Sequence, residues 1–285
     1  MRLALVFNPG CRVGIGERCA GVLRNFPGIT FECFDVRTAA SLRGGFDLYL
    51  RLDDGDYALG GLDHLHPLAW WVADTHLKHS FNNIVTNARA TDFLFCFQKE
   101  GSERLARILG RPVYWLPAAA DYIVPSPSFV PFAQRRRDIA FVGTTGKFSL
   151  RKVALELIRC EYPDSFAGTA PREELPGIYA QSRLTVNYSI NNDINMRTFE
   201  AMGAGALVVT SRIRNNGFEE LLTPGENCLV FDDITTGELK TVIDRALADP
   251  KKSEGMARAG YELVNSRHTY YHRLRELLRV AGGRG

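Results

Sequence analysis

The stretch Ser189-Ile-Asn-Asn-Asp-Ile-Asn-Met-Arg-Thr-Phe-Glu-Ala-Met-Gly-Ala-Gly-Ala-Leu-Val-Val-Thr210 leads from a polar loop into a short helical pattern and then into an apolar strand. Phe199 and Met202 have the spacing of an inward helical face, and Glu200 is expected in the first turn, where a carboxylate suits the helix dipole. Gly203 and Gly205 end the helix, and Ala206 to Thr210 is short and apolar enough to be a buried strand. In open parallel sheets the ligand crevice lies beyond the carboxyl ends of the strands, so a polar loop at that place reads as a ligand site.

The same alternation extends in both directions. In the first half, apolar runs at Leu3 to Phe7, Thr30 to Phe34, Asp47 to Leu52, Leu68 to Val72, Phe93 to Cys96 and Val113 to Leu116 read as strands, with helices clearest at Gly16 to Asn25 and Gly101 to Leu109. A second series runs through Ile139 to Val142, Asp164 to Ala167, Leu184 to Tyr188, Ala206 to Thr210 and Cys228 to Phe231. Strands alternating with helices predict an α/β chain of two Rossmann-like, doubly wound domains. Residues 1–121 form the expected first domain and 139–262 the second. Residues 122–138, with Pro125, Pro127, Pro131 and the run Arg135 to Arg137, read as a linker with a solvated basic face. From Thr236 to Val280 the apolar stripes are helical.

At 285 residues, 45% hydrophobic and 24% charged, the chain has the composition of an ordinary globular protein. A net charge of +3 is too mild to suggest a nucleic-acid partner. Six cysteines are scattered without a CxxC pair and read as buried free thiols of a reducing compartment, the cytoplasm. No apolar run approaches the ~20 residues of a membrane span, which leaves room for peripheral membrane contact only. Oligomeric state is open.

Several constellations could carry chemistry. Arg197 offers a planar fork for phosphate, while Glu200 could accept two hydrogen bonds from a ribose. The alternative is a helix charge with its Arg partner. Asn192 and Asn195 add polar groups to the same loop. Gly143-Thr144-Thr145-Gly146-Lys147, followed by Arg151, would leave backbone open to a diphosphate and supply cations. Gly14 and Gly16, after the first strand, could approach a phosphate or sugar on the acceptor side, or form a plain turn. Asp74 and His76 end the fourth strand as an acid and a base, with His76 suited to take a hydroxyl proton and Asp74 to do so or to orient it; a helix cap is the competing reading. Asp53-Asp54-Gly55-Asp56 reads as an Asp-Gly turn rather than a cation site. His268 and His272, four apart on an expected helix, read as packed rings rather than zinc ligands.

Trp71-Val-Ala-Asp-Thr-His76, Leu116-Pro-Ala-Ala-Ala-Asp121, Ile139-Ala-Phe-Val-Gly143, Asn195-Met-Arg-Thr-Phe-Glu200 and His268-Thr-Tyr-Tyr-His-Arg273 resemble the spore-maturation, CgeB-like glycosyltransferases of the GT-B fold. The resemblance implies a nucleotide-sugar donor held by the second domain and a hydroxyl-bearing acceptor, on a glycan, protein or small metabolite, facing the first. It also implies that residues 263–285 cross back to the first domain. Glu200 would bind the donor ribose, Arg197 and Lys147 the diphosphate, and His76 or Asp74 would face the reacting sugar. No metal or other cofactor would be obligatory. Related retaining enzymes carry a second glutamate eight residues before the position of Glu200; here it is Asn192, so the resemblance carries no inference about retention or inversion. A nucleotide-sugar hydrolase or epimerase on the same fold, and a non-catalytic nucleotide-sugar-binding scaffold, are the rival readings.

Overall fold

Apolar runs too short for a helix and buried on both faces become parallel strands. In the first half they are β1 (Arg2–Val6), β2 (Thr30–Phe34), β3 (Leu48–Leu52), β4 (Leu68–Val72), β5 (Phe93–Cys96) and β6 (Tyr114–Trp115). The helices among them are α1 (Gly16–Leu23), α2 (Val36–Ala39), α3 (Lys78–Asn87) and α4 (Lys99–Leu109). The second half supplies β7 (Arg137–Val142), β8 (Ser165–Gly168), β9 (Ser182–Asn187), β10 (Leu207–Ser211) and β11 (Leu229–Phe231). Its helices are α5 (Arg151–Glu161), α6 (Leu175–Ala180), α7 (Met196–Gly203), α8 (Phe218–Leu221), α9 (Glu238–Ala248) and α10 (Pro250–Arg267), and α11 (Tyr270–Ala281) follows. The computed structural model describes residues 1–11, 14–121, 128–143 and 150–283.

The chain divides into two units, Met1–Pro117 with Tyr270–Gly285, and Ala118–Thr269. In the first, the parallel strand order is β2-β1-β3-β4-β5-β6; in the second it is β11-β10-β9-β7-β8. Counted from its own first strand, each sheet runs second, first, third, fourth, fifth, the first unit adding a sixth. This is the doubly wound arrangement, whose order reverses beside the first strand. The reversal lies between β1 and β3 in one unit and between β7 and β9 in the other.

Within the first unit, β3 and β4 are wholly buried, and Trp70 and Trp71 anchor the core. The Trp71 indole donates to the Leu116 carbonyl at 2.9 Å and meets Tyr270 edge-on. Helix α11 belongs here because it covers α1: the Phe26 and Tyr271 rings lie 4.7 Å apart, and buried Arg273 donates to the Pro117 carbonyl. The return begins at Tyr270 because α10 runs on to Arg267 within the second unit, where Asn265 donates to the Gly203 carbonyl and Val264 is buried.

Three sequence readings need correction. The cysteines are free, but only Cys19, Cys96 and Cys228 are buried, while Cys33 and Cys160 are exposed. His268 and His272 do not share a helix, since the chain breaks between α10 and α11; His268 packs on Phe199 and His272 meets Tyr271 edge-on. The basic run is a solvated face only at Arg136. Arg137 opens β7, and Arg135 is 5% exposed, donating to the carbonyls of Val130, Ser182 and Gly205 between the rings of Phe129 and Phe132. Burial lowers its pKa to about 10, so the cation persists at neutral pH.

Because Arg135 satisfies carbonyls that otherwise lie buried and unpaired, Arg135→Ala is expected to lower stability by about 3 kcal/mol in urea denaturation. Arg135→Lys, which keeps the charge but loses the planar fork, should recover less than half of that.

Candidate active site

At the order reversal of the second sheet, Gly143 follows β7 and the segment Tyr188–Asn195 follows β9. The strand ends are tied together by Asn187, fully buried at the last position of β9. Its carbonyl oxygen accepts from Asn195 Nδ2 at 3.2 Å and from an Arg197 guanidinium nitrogen at 3.1 Å. Its amide nitrogen donates to the hydroxyls of Thr198 and Thr210, each at 3.2 Å. One side chain thus joins β9, the start of α7 and β10.

That junction aims Arg197 across the end of β7. Gly143 has φ +148°, in the region that favours glycine, and a Cβ there would fall on the Arg197 guanidinium. The buried Tyr179 hydroxyl, on α6, also bonds Arg197; burial first and the Glu200 charge second raise its pKa, while Arg197 opposes them. Arg151, in the first turn of α5, donates to the Tyr188 carbonyl at 2.9 Å. Its pKa is lowered by burial and then by the Arg197 charge, with Asp193 acting in the opposite sense. Two guanidinium groups near enough to repel each other, beside the N-terminal turns of α5 and α7, make a cationic site suited to an anion.

Glu200 lies in the second turn of α7, not the first, because the helix starts at Met196. It is therefore not a charge at the helix N-terminus. Asn192 has φ +54°, and both ends of its amide bond the backbone of Arg214, at 2.7 Å each. Asn216 in turn donates to the Asn192 carbonyl, so Asn192 holds the loop's shape. Asn195 keeps a buried side-chain oxygen without a partner. Thr144, Thr145 and Lys147 lie outside the described residues.

In the first unit the corresponding reversal gathers carboxylates. Asp54 does not form a simple turn: it takes a two-pronged buried ion pair from Arg51, both contacts at 2.8 Å, and also accepts from the Asn8 amide. Gly14 fits closely over the backbone of Asp53 and Asp54, and Gly16 leaves room for the Phe7 ring. Asp53 is 6% exposed, with Oδ1 unpartnered. Burial, and next the charge of Asp74, push its pKa up to about 7. Asp74 sits at φ +52°, a costly conformation for a residue other than glycine. The turn is held because Thr75 donates to Gln98 Oε1 at 2.9 Å, next to Gly101, where a Cβ would strike Thr75. His76 Nε2 stands 4.0 Å from Asp74 Oδ1, beyond hydrogen-bond length, and its Nδ1 is buried without a partner.

A family model described as glycosyl transferase-like matches residues 128–279. The chain belongs to this family. No curated protein sequence matches it significantly. Among solved structures, HepE of Anabaena, in complex with UDP and glucose, is similar at TM-score 0.72 and 14% identity over 100% of both chains. Sucrose-phosphate synthase of Thermosynechococcus elongatus gives 0.69 and 14% over 98% of both. The pneumococcal O-GlcNAc transferase GtfA, in complex with UDP and GlcNAc, gives 0.58 and 14% over 82% of this chain and 56% of its own. At such identities the likeness concerns the fold, the two-domain GT-B arrangement of glycosyltransferases.

Three residues of this glycosyltransferase-family chain escaped the sequence reading of the site. Asn187 and Tyr179 sit inside apolar runs and look like core; Asp53 looks like half of a turn. The one available signal was Asn187, a polar residue closing a buried strand just before the loop.

Asp53 also predicts a pH dependence of stability. A carboxyl whose folded pKa is raised costs nothing below its unfolded pKa, and its contribution is lost as pH rises towards the folded value. Asp53→Asn removes that loss. Stability of the variant relative to the parent should climb by about 1.4 kcal/mol per pH unit between about pH 4 and about pH 7, then level off, in urea titrations at each pH.

Proposed function

We propose that the chain transfers a sugar from a nucleoside-diphosphate donor to a hydroxyl acceptor, and that the Ala118–Thr269 unit binds the donor. The observation that carries this is the Arg197 guanidinium over Gly143, with Arg151 beside it, at the order reversal of the second sheet. A diphosphate bound there would take charge-assisted hydrogen bonds from both arginines and meet the N-terminal turns of α5 and α7. That HepE and GtfA are both seen in complex with UDP supports a uridine nucleotide as the first probe.

In this reading Glu200 accepts from the ribose hydroxyls, Asn195 offers its unpartnered oxygen to the donor, and Asn192 shapes the loop around it. Thr144, Thr145 and Lys147 continue the phosphate site after Gly143. His76 and Asp74 serve the acceptor hydroxyl, with Gly14 and Gly16 shaping the loop on the acceptor side. The departing diphosphate is stabilised by guanidinium groups and helix termini, a task that requires no metal. The five motifs quoted above support placement in the CgeB-like group.

The test is a thermal-shift panel of UDP, ADP, GDP and UDP-glucose. A nucleotide at ~100 times its dissociation constant should stabilise the protein by about 2.7 kcal/mol, and no shift from any of them would overturn the donor site. Arg197→Ala should abolish the shift. Glu200→Gln should weaken nucleotide binding about tenfold, whereas His76→Ala should lower turnover more than donor affinity.

A further inference from the structure

Among the described residues, Asp53 is buried without an ion pair to explain it. Its neighbour Asp54 already neutralises Arg51 and fastens the loop after β1, while Asp53 Oδ1 has no hydrogen-bond partner. A buried carboxyl oxygen left without a donor costs stability. The Tyr57 hydroxyl donates to Asp74 Oδ2 at 3.2 Å, and its interaction with the Asp53 carboxyl is felt in the titration of both groups. Asp74, unlike Asp53, is 46% exposed. The three groups form a chain from solvent to the interior, through one hydroxyl that carries a single proton.

We propose that Asp53 is the terminal proton acceptor of the transfer reaction, reached from Asp74 through the Tyr57 hydroxyl. The proposal rests on the glycosyl-transfer reading above and deepens it. As the acceptor oxygen bonds to the anomeric carbon, the bond from that carbon to the diphosphate breaks and its electron pair leaves with the diphosphate. The acceptor's O–H bond breaks and its proton passes to Asp74. Asp74 hands a proton to the Tyr57 oxygen while Tyr57 gives its own hydroxyl proton to Asp53. The relay ends with Asp74 ionised, Tyr57 neutral and Asp53 protonated. Only Asp74 touches substrate; Asp53 acts through it.

The surroundings favour that direction. Protonation relieves both the burial of Asp53 and its repulsion with Asp74, the two largest causes that push its pKa up to about 7. Asp54 adds a smaller repulsion, and the Gly55 amide and Tyr57 act against it. From β5, the fully buried Cys96 thiol has its pKa pushed up to about 12 by burial, so it remains neutral and does not compete. From the loop after β1, the Cys11 thiol is occupied with the Asp54 carbonyl. His76, the second basic group at that end of the chain, has its Nε2 4.0 Å from Asp74 Oδ1. A group that titrates near neutrality is well matched to accept a proton at neutral pH.

The experiment follows UDP release from UDP-glucose, with water as acceptor, between about pH 5.5 and about pH 9. For the parent, kcat should rise through an inflection near the Asp53 value of about 7. Asp53→Asn and Tyr57→Phe should each lower kcat at high pH by about 100-fold and erase the inflection, with KM for UDP-glucose changed less than about twofold. An unchanged inflection in Asp53→Asn, or full kcat in Tyr57→Phe, would overturn the relay. A second measurement needs no turnover: infrared titration without nucleotide should show a carboxyl losing its proton near neutral pH, absent in Asp53→Asn and shifted to lower pH in Asp74→Asn. If UDP-glucose neither binds nor reacts, the donor reading fails and the titration decides the relay. A carboxyl signal that Asp74→Asn leaves unmoved sinks it.

Discussion

A primary amide buried at the end of a strand must have its hydrogen bonds satisfied, and Asn187 meets that demand by recruiting its neighbours. Its oxygen holds Asn195 and Arg197; its nitrogen holds Thr198 and Thr210. The start of α7, the approach to it and the adjacent β10 are therefore fixed by one group. The planar fork of Arg197 lies across β7 because of this anchorage, and Gly143 is glycine because the fork is there. Replacing a polar partner of Asn187 leaves one of its amide atoms with one partner fewer, and replacing Gly143 puts a side chain where the Arg197 guanidinium lies.

Two sheets with the same strand order have been given opposite electrostatic characters at the same topological position. In the second unit the order reversal collects Arg151 and Arg197; in the first it collects Asp53 and Asp54, with Asp74 acting on Asp53 from the end of the neighbouring β4. Shared backbone topology explains the location of each group, and local partners explain what it can do. Asp54 is spent on Arg51, whereas Asp53 is left with a carboxyl that burial and Asp74 hold close to the neutral range. The left-handed backbone of Asp74 marks the loop after β4 as one whose shape is enforced, by Thr75 and Gln98, against local preference.

The strands were legible because a parallel sheet buried on both faces leaves a continuous apolar run, and β2, β4 and β5 begin and end where those runs do. The second sheet begins earlier than its apolar run, since Arg137 and Asp138 pair with neighbouring strands despite their charge. Arg135 was illegible: a guanidinium stacked between two phenyl rings and a solvated one have the same letter in the same basic run. The helix break after Arg267 contains neither proline nor glycine, so no local signal separated His268 from His272. Glu200 was displaced by one turn because the helix starts at Met196, a boundary that periodicity places only loosely. The burial of Asp53 depends on elements far along the chain, and no spacing in the sequence encodes it.

The division of the chain carries a consequence for its synthesis. The unit from Ala118 to Thr269 is continuous, whereas the other is completed by Tyr270–Gly285. On a ribosome the later-coded sheet has all its strands before the earlier-coded one has its last helix. Until α11 emerges, the α1 face that receives Tyr271, the Trp71 edge that receives Tyr270 and the Pro117 carbonyl that receives Arg273 lack these partners. Of the two units, the one begun earlier in translation is thus completed later, and its nascent form exposes an apolar surface for which a chaperone would compete with α11.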